Sequence, residues 1–191
     1  MTTWRATQKA NRRAELMASA ARLFAERGFA AVSTADLGDA VGMSGPALYR
    51  HFASKEALLC DLLLDASERL LEGGRALTAS GGDPRQVFEA LIAFHLEFAT
   101  SDADVIRVQD RELANLPADV NQQVRRLQRE YVREWDRPFA ALRPDLADAE
   151  RETRLLAAFG LLNSTPHSAA PSADRAGGIL AGMARRALLG D

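Results

Sequence analysis

At 191 residues, 47% hydrophobic and 26% charged, the chain can bury one substantial core or two small ones, which excludes disorder throughout. Its single cysteine, Cys60, excludes an internal disulfide framework and a four-thiolate metal site. The apolar runs are short and broken by charge, with no membrane span and no basic-then-apolar leader at Met1, so a cytoplasmic location is expected.

The net charge of −2 is unevenly divided: residues 1–55 hold eight basic and four acidic side chains, and the remainder sixteen basic and twenty-two acidic. Attraction for phosphates is thereby concentrated at one end. Residues 1–8 lack an apolar period and read as a mobile arm. A first helix is predicted over Lys9–Arg27, because Leu16, Ala20, Leu23 and Phe24 share one face, and Gly28 is its expected C-terminal cap. Lys9, Arg12 and Arg13 near its start read either as contacts to backbone phosphates or as solvated surface charges.

Ser33 and Asp36 have the spacing of a capping box, so a second helix is predicted from there, ending at Gly42, which can turn the chain with a left-handed backbone. Ser44 is the expected cap of a third helix, with Gly45 and Pro46 in its first turn and an end near Phe52. Leu48 and Phe52, four apart, can pack on Leu37 and Val41, leaving Gly45, Ala47, Tyr49, Arg50 and His51 on other faces. A helix-turn-helix results, whose second helix would enter the major groove of DNA.

The runs Gly42-Met43-Ser44, Leu48-Tyr49-Arg50-His51-Phe52 and Ser54-Lys55-Glu56-Ala57-Leu58-Leu59 resemble the signature of the tetracycline-repressor family of transcriptional regulators, over roughly Ala10 to Leu63. Gly38 departs from the alanine common there, at up to ~1 kcal/mol of helix propensity. The resemblance implies an all-α protein with an N-terminal three-helix DNA-binding domain, residues 1–55, and a larger helical ligand-binding and dimerisation domain, residues 56–191. It implies a homodimeric repressor of a palindromic double-stranded DNA operator, released by a small-molecule effector. Ser44, Gly45, Pro46, Ala47, Tyr49, Arg50, His51 and Lys55, with Thr34, are its expected DNA contacts, and Lys55 is assigned a phosphate.

Beyond the motif, Ser54 caps a long helix expected to run to about Glu72, where Gly73-Gly74 weaken it. Cys60, set among leucines, reads as a core residue or a redox-sensing thiol. Residues 84–100 are apolar on nearly every face, so other helices should surround them. Further helices are predicted over Asp102–Leu113, over Ala118–Leu142 with a kink or break near Pro138, over Asp145–Ser164, and over Ser172–Leu189 after a Pro166–Pro171 connection. About nine helices, and no strand, are expected.

His95, inside the most apolar helix, reads as a core histidine with one hydrogen-bond partner or as a contact to a polar ligand group. Trp135, Phe139 and Phe159 are core or pocket lining, and Asn163 is a helix C-terminus or a ligand contact. With Phe98 and Arg111 these make up the candidate ligand site, whose occupant should be mostly apolar. Arg111-Glu112-Leu113 and the run Phe159 to Ser164 resemble segments of actinobacterial family members that control lipid or acyl-thioester metabolism. Leu155, Phe159, Leu162, Ile179 and Met183 are the expected dimer interface, or else close the core of the monomer. His51, His95 and His167 have no second ligand at helical spacing, so neither metal nor cofactor is expected. No catalytic constellation is visible, and the rival classes are an enzyme using His95 as base, or a DNA-binding protein without a small-molecule ligand.

Overall fold

The computed structural model describes residues 4–43, 45–165 and 173–190, and all regular structure within them is helical. In order come α1 (Trp4–Arg27), α2 (Thr34–Ala40), α3 (Gly45–Leu48), α4 (Lys55–Ala79), α5 (Pro84–Ser101), α6 (Ala103–Glu112), a 3-10 turn (Leu113–Asn115), α7 (Ala118–Leu142), α8 (Asp148–Asn163) and α9 (Ala173–Leu189). The expected cap Ser44 and the Pro166–Pro171 connection, with His167, lie outside the described residues.

Local chemistry sets the first half of this order. Gly28 and Gly42 take positive φ values of 83° and 63°, and each reverses the chain after a helix. Ser33 and Asp36 form the reciprocal capping box at the start of α2: the Asp36 amide donates to Ser33 Oγ at 3.1 Å, and the Ser33 amide donates to Asp36 Oδ2 at 2.8 Å. Ser54 caps α4 by accepting from the Ala57 amide at 3.1 Å.

Four expectations need correction. The arm is helical from Trp4, since Ala6, Gln8, Lys9 and Ala10 are helix formers that extend α1 beyond its buried stripe; residues 1–3 lie outside the described residues. Regular α3 stops at Leu48, and residues 49–51 form a tighter turn in which the Arg50 amide donates to Ala47 O and the His51 amide to Leu48 O. α4 runs through Gly73-Gly74 to Ala79, because those glycines are where neighbouring rings press closest. A Cβ on Gly73 would lie 2.1 Å from Phe94 Cζ, and one on Gly74 would lie 2.7 Å from Tyr131 Cε2. α7 continues unbroken past Pro138, whose neighbours Trp135 and Phe139 are fully buried, so packing outweighs the ~3 kcal/mol cost of an interior proline.

The apolar side chains form two clusters. One joins α1, α2, α3 and the first half of α4 to Val105 and Val108 of α6, Leu116 and Val124. The other joins Leu71 of α4 to α5, the later part of α7, α8 and α9, around Phe88 stacked on Phe139 at 5.4 Å. α4 and α7 contribute to both clusters and pack along one another, with Leu64 touching each. Glu134, buried on α7, accepts from Thr78 Oγ1 of α4 at 2.7 Å and from Arg137 Nη1 at 2.9 Å, which fixes the register of that pair.

The two glycines give opposing terms of known size. Replacing glycine by alanine gains up to ~1 kcal/mol of helix propensity, whereas overpacking costs about 1–3 kcal/mol. Tyr131 is buried and cannot retreat, while Phe94 is half-buried and can. Gly74→Ala should therefore lower the midpoint of denaturant unfolding, and Gly73→Ala should lower it less; the reverse order would refute the packing argument.

Candidate DNA-binding face and buried cavity

Three side chains from distant parts of the chain hold the helix-turn-helix in place. Lys55 Nζ donates to Phe29 O at 2.9 Å and Val32 O at 2.8 Å, and lies 4.4 Å from the centre of the Phe29 ring. Arg111 Nη1, from α6, donates to Ala25 O at 2.8 Å near the C-terminal end of α1. Arg13 donates to His51 O at 3.3 Å, pairs with Asp61 at 2.7 Å, and stacks 4.3 Å from the Phe52 ring centre. Two of the three N–H groups of Lys55 are thus committed to backbone carbonyls inside the protein. Arg111 likewise reaches the α1 corner, and it is not among the residues that line the cavity behind the head.

Leu37, Leu48 and Phe52 are buried beneath the motif, with Val41 packed against them. On the outer side Tyr49 is 52% exposed, Arg50 is exposed, and Ala47 and His51 are half-buried. Thr34 is the first residue of α2, and Gly45 and Pro46 open α3, while Ser44 lies outside the described residues. A concave surface of about 720 Å³ runs from the start of α1 to α3, between Lys9 and Arg12 on one side and Ala47, Arg50 and His51 on the other. His51 Nδ1 is buried without a hydrogen-bond partner, and partial burial, followed by the charges of Lys9, Arg13, Arg50 and Arg12, pushes the imidazole below its ordinary pKa. Arg12 is paired with Glu15 at 2.7 Å, an exposed pair that salt screens readily.

Behind the head, α4, α5, α6, α7 and α8 line a partly open cavity of about 200 Å³, with exposed Leu156 at its edge. Of the expected ligand residues, His95, Phe98, Phe159 and Asn163 line it together. Trp135 and Phe139 do not: both are fully buried in the adjoining core, Trp135 against Phe159 at 4.8 Å and Phe139 against Phe88. Sequence reasoning missed Tyr131, Gln109 and Gln128, the last two joined by a Gln128 Nε2 to Gln109 Oε1 hydrogen bond of 3.1 Å. Gln128 stands one turn before Tyr131 at the edge of the α7 apolar stripe, the one signal that pointed there. His95 Nε2 faces Asn163 Oδ1 at 3.0 Å, and the Tyr131 hydroxyl faces His95 Nδ1 at 3.4 Å. Burial lowers the His95 pKa to about 4, so the ring is neutral near pH 7, and burial raises that of Tyr131.

The expected dimer residues separate into two sets. Leu155 and Leu162 are fully buried within the monomer and Phe159 lines the cavity, so these three close the core, while Ile179 and Met183 of α9 are exposed together with Leu156 of α8. Among the described residues, no group of three or more His, Cys, Asp and Glu side chains could hold a metal ion, and no helix is long and apolar enough to cross a membrane.

Comparison with known proteins agrees with this geometry. The model of bacterial regulatory proteins of the tetR family matches residues 16–62, and that of the tetracyclin repressor-like C-terminal domain matches residues 81–167. The HTH-type transcriptional repressor KstR2 of Rhodococcus jostii (strain RHA1) is 36% identical over 111 residues, 58% of this chain and 54% of the relative, so the match spans about half that protein's length. A TetR-family transcriptional regulator from Bordetella parapertussis 12822 superposes with a TM-score of 0.82 at 26% identity, covering 92% of this chain and 93% of that one. AibR, solved in complex with isovaleryl coenzyme A and operator DNA, shares the fold at a TM-score of 0.72 and 17% identity, covering 90% and 97%. Matched by family models at both ends and superposing over nearly its whole length, the chain belongs to the tetR family of bacterial regulatory proteins.

Proposed function

We propose that the protein is a cytoplasmic, ligand-responsive transcriptional repressor that binds a palindromic operator as a homodimer and performs no covalent chemistry. Residues 1–55 act as the DNA-binding unit and residues 56–191 as the effector and dimerisation unit. The observation that carries this reading is a clamped helix-turn-helix and a partly open interior cavity in one chain, with α4 and α6 reaching both. The cavity also weighs against a regulator with a sealed core. The relative named a repressor, and the shared fold of a protein solved with operator DNA and a small molecule, support it.

In this reading Ala47, Tyr49 and Arg50, with Ser44, Gly45, Pro46, His51 and Thr34, form the DNA face, the small residues allowing close approach to base edges. Lys55 acts by holding the corner after α1. An effector must bind better to the arrangement in which two recognition helices no longer match successive major grooves, about 34 Å apart. A coupling of about 1–3 kcal/mol corresponds to roughly 5- to 150-fold weaker DNA binding.

Two measurements check the reading, on operator DNA selected from a random pool. Arg50→Ala should weaken binding to all sequences alike and reduce the magnitude of the salt slope by about 0.9. An unchanged slope and affinity would remove Arg50 from the DNA face. Exposed Ile179 and Met183 form the proposed α9 contact between subunits, so the double change to glutamate should yield monomers in sedimentation and cost at least about tenfold in affinity for a two-half-site operator. A double variant that remained dimeric would place the interface elsewhere.

A further inference from the structure

The lining of the cavity restricts what it can hold, on the reading above that it is the effector site. Its polar side chains are Ser67, His95, Gln109, Gln128, Tyr131 and Asn163, and it contains no Asp, Glu, Lys or Arg. An ion seated there would lose part of its hydration and meet no opposite charge among the lining residues. Size is a second restriction, on the part of a ligand that is seated inside: a closed cavity of ~150 Å³ takes benzene, so about 200 Å³ holds a body of about six-membered-ring size, and anything larger extends out of the open side.

The hydrogen-bond arrangement supplies the third. Asn163 Oδ1 can only accept, so its 3.0 Å contact places the proton of neutral His95 on Nε2. Nδ1 is then an acceptor, and takes the hydroxyl proton of Tyr131. Oδ1 accepts from His95, and the NH2 of Asn163 remains as a donor to a ligand in the cavity that Asn163 lines. A donor pair beside Phe98 and Phe159 suits an uncharged oxygen acceptor on an apolar body.

We propose that the cavity binds a neutral carbonyl compound whose seated part is about the size of a six-membered ring, its oxygen accepting from the Asn163 amide, and that it rejects the corresponding carboxylate. The carbonyl can belong to a free ketone or to an acyl thioester whose carrier stays outside. Three probes distinguish these sources on the full-length chain, read by calorimetric titration and by release of labelled operator: cyclohexanone, the S-ethyl thioester of cyclohexanecarboxylic acid, and cyclohexanecarboxylate. At least one neutral probe should bind and release DNA, with the carboxylate at least tenfold weaker, and the stronger of the two neutral probes names the source. Asn163→Leu should lower the affinity of that probe at least tenfold, with circular dichroism reporting its fold. The selectivity of the unaltered chain is decisive whether or not that variant folds. Equal or tighter binding of the carboxylate with operator release would overturn the proposal while leaving the effector reading intact. Failure of all three to bind would overturn the proposal, and operator release by some other compound would then still support the effector reading. Preference for cyclohexanol over cyclohexanone would reverse the donor assignment and overturn it as well.

Discussion

The corner between α1 and α2 is the point on which the DNA-binding head depends. Phe29 O and Val32 O are carbonyls of a chain reversal that no helix satisfies, and Ala25 O lies in the last turn of α1, where intrahelical donors run out. Two cations meet them, one at the junction of head and body and one from the body. Lys55 opens α4 and Arg111 closes α6, so the angle at which α2 and α3 leave α1 is set by the body of the protein. A charge-assisted hydrogen bond to a carbonyl contributes more than a neutral one, and neither bond needs an ion pair that salt would screen fully.

That arrangement gives the cavity a physical route to the head. α6 carries Val105, Ile106 and Gln109 along the cavity, and Arg111, two residues after Gln109, holds α1. α4 lines the same cavity with Ala66, Ser67 and Leu70, and begins at Lys55. In the proposed function, a shift of α4 or α6 at the cavity would be felt by the cations that hold the corner. On the far side Tyr131 and His95 meet as a neutral, buried pair at 3.4 Å.

How much of this was legible follows from the range of each interaction. The capping box at Ser33 and Asp36, the turn at Gly42 and the cap at Ser54 depend on residues within three positions of one another, so the sequence displays them directly. The carbonyls that hold Lys55 were not legible in the sequence, because they lie 23 and 26 residues away and backbone groups carry no sequence signal. Gly73-Gly74 resembled a helix end for the same reason: the rings that require glycine there come from α5 and α7. In the cavity, His95 and Asn163 stood out as polar residues at apolar positions. Trp135 and Phe139 drew attention by size alone, and large aromatics ordinarily fill cores.

The central claim is that Lys55 positions the DNA-binding face without touching DNA. Operator affinity measured over a series of salt concentrations, for the parent chain and for Lys55→Met, tests it most directly. Loss of the corner should weaken binding severalfold while the slope of log K against log salt stays the same, since no phosphate contact has been removed. A slope reduced in magnitude by about 0.9 together with the loss of affinity would identify Lys55 as a phosphate ligand and contradict the account.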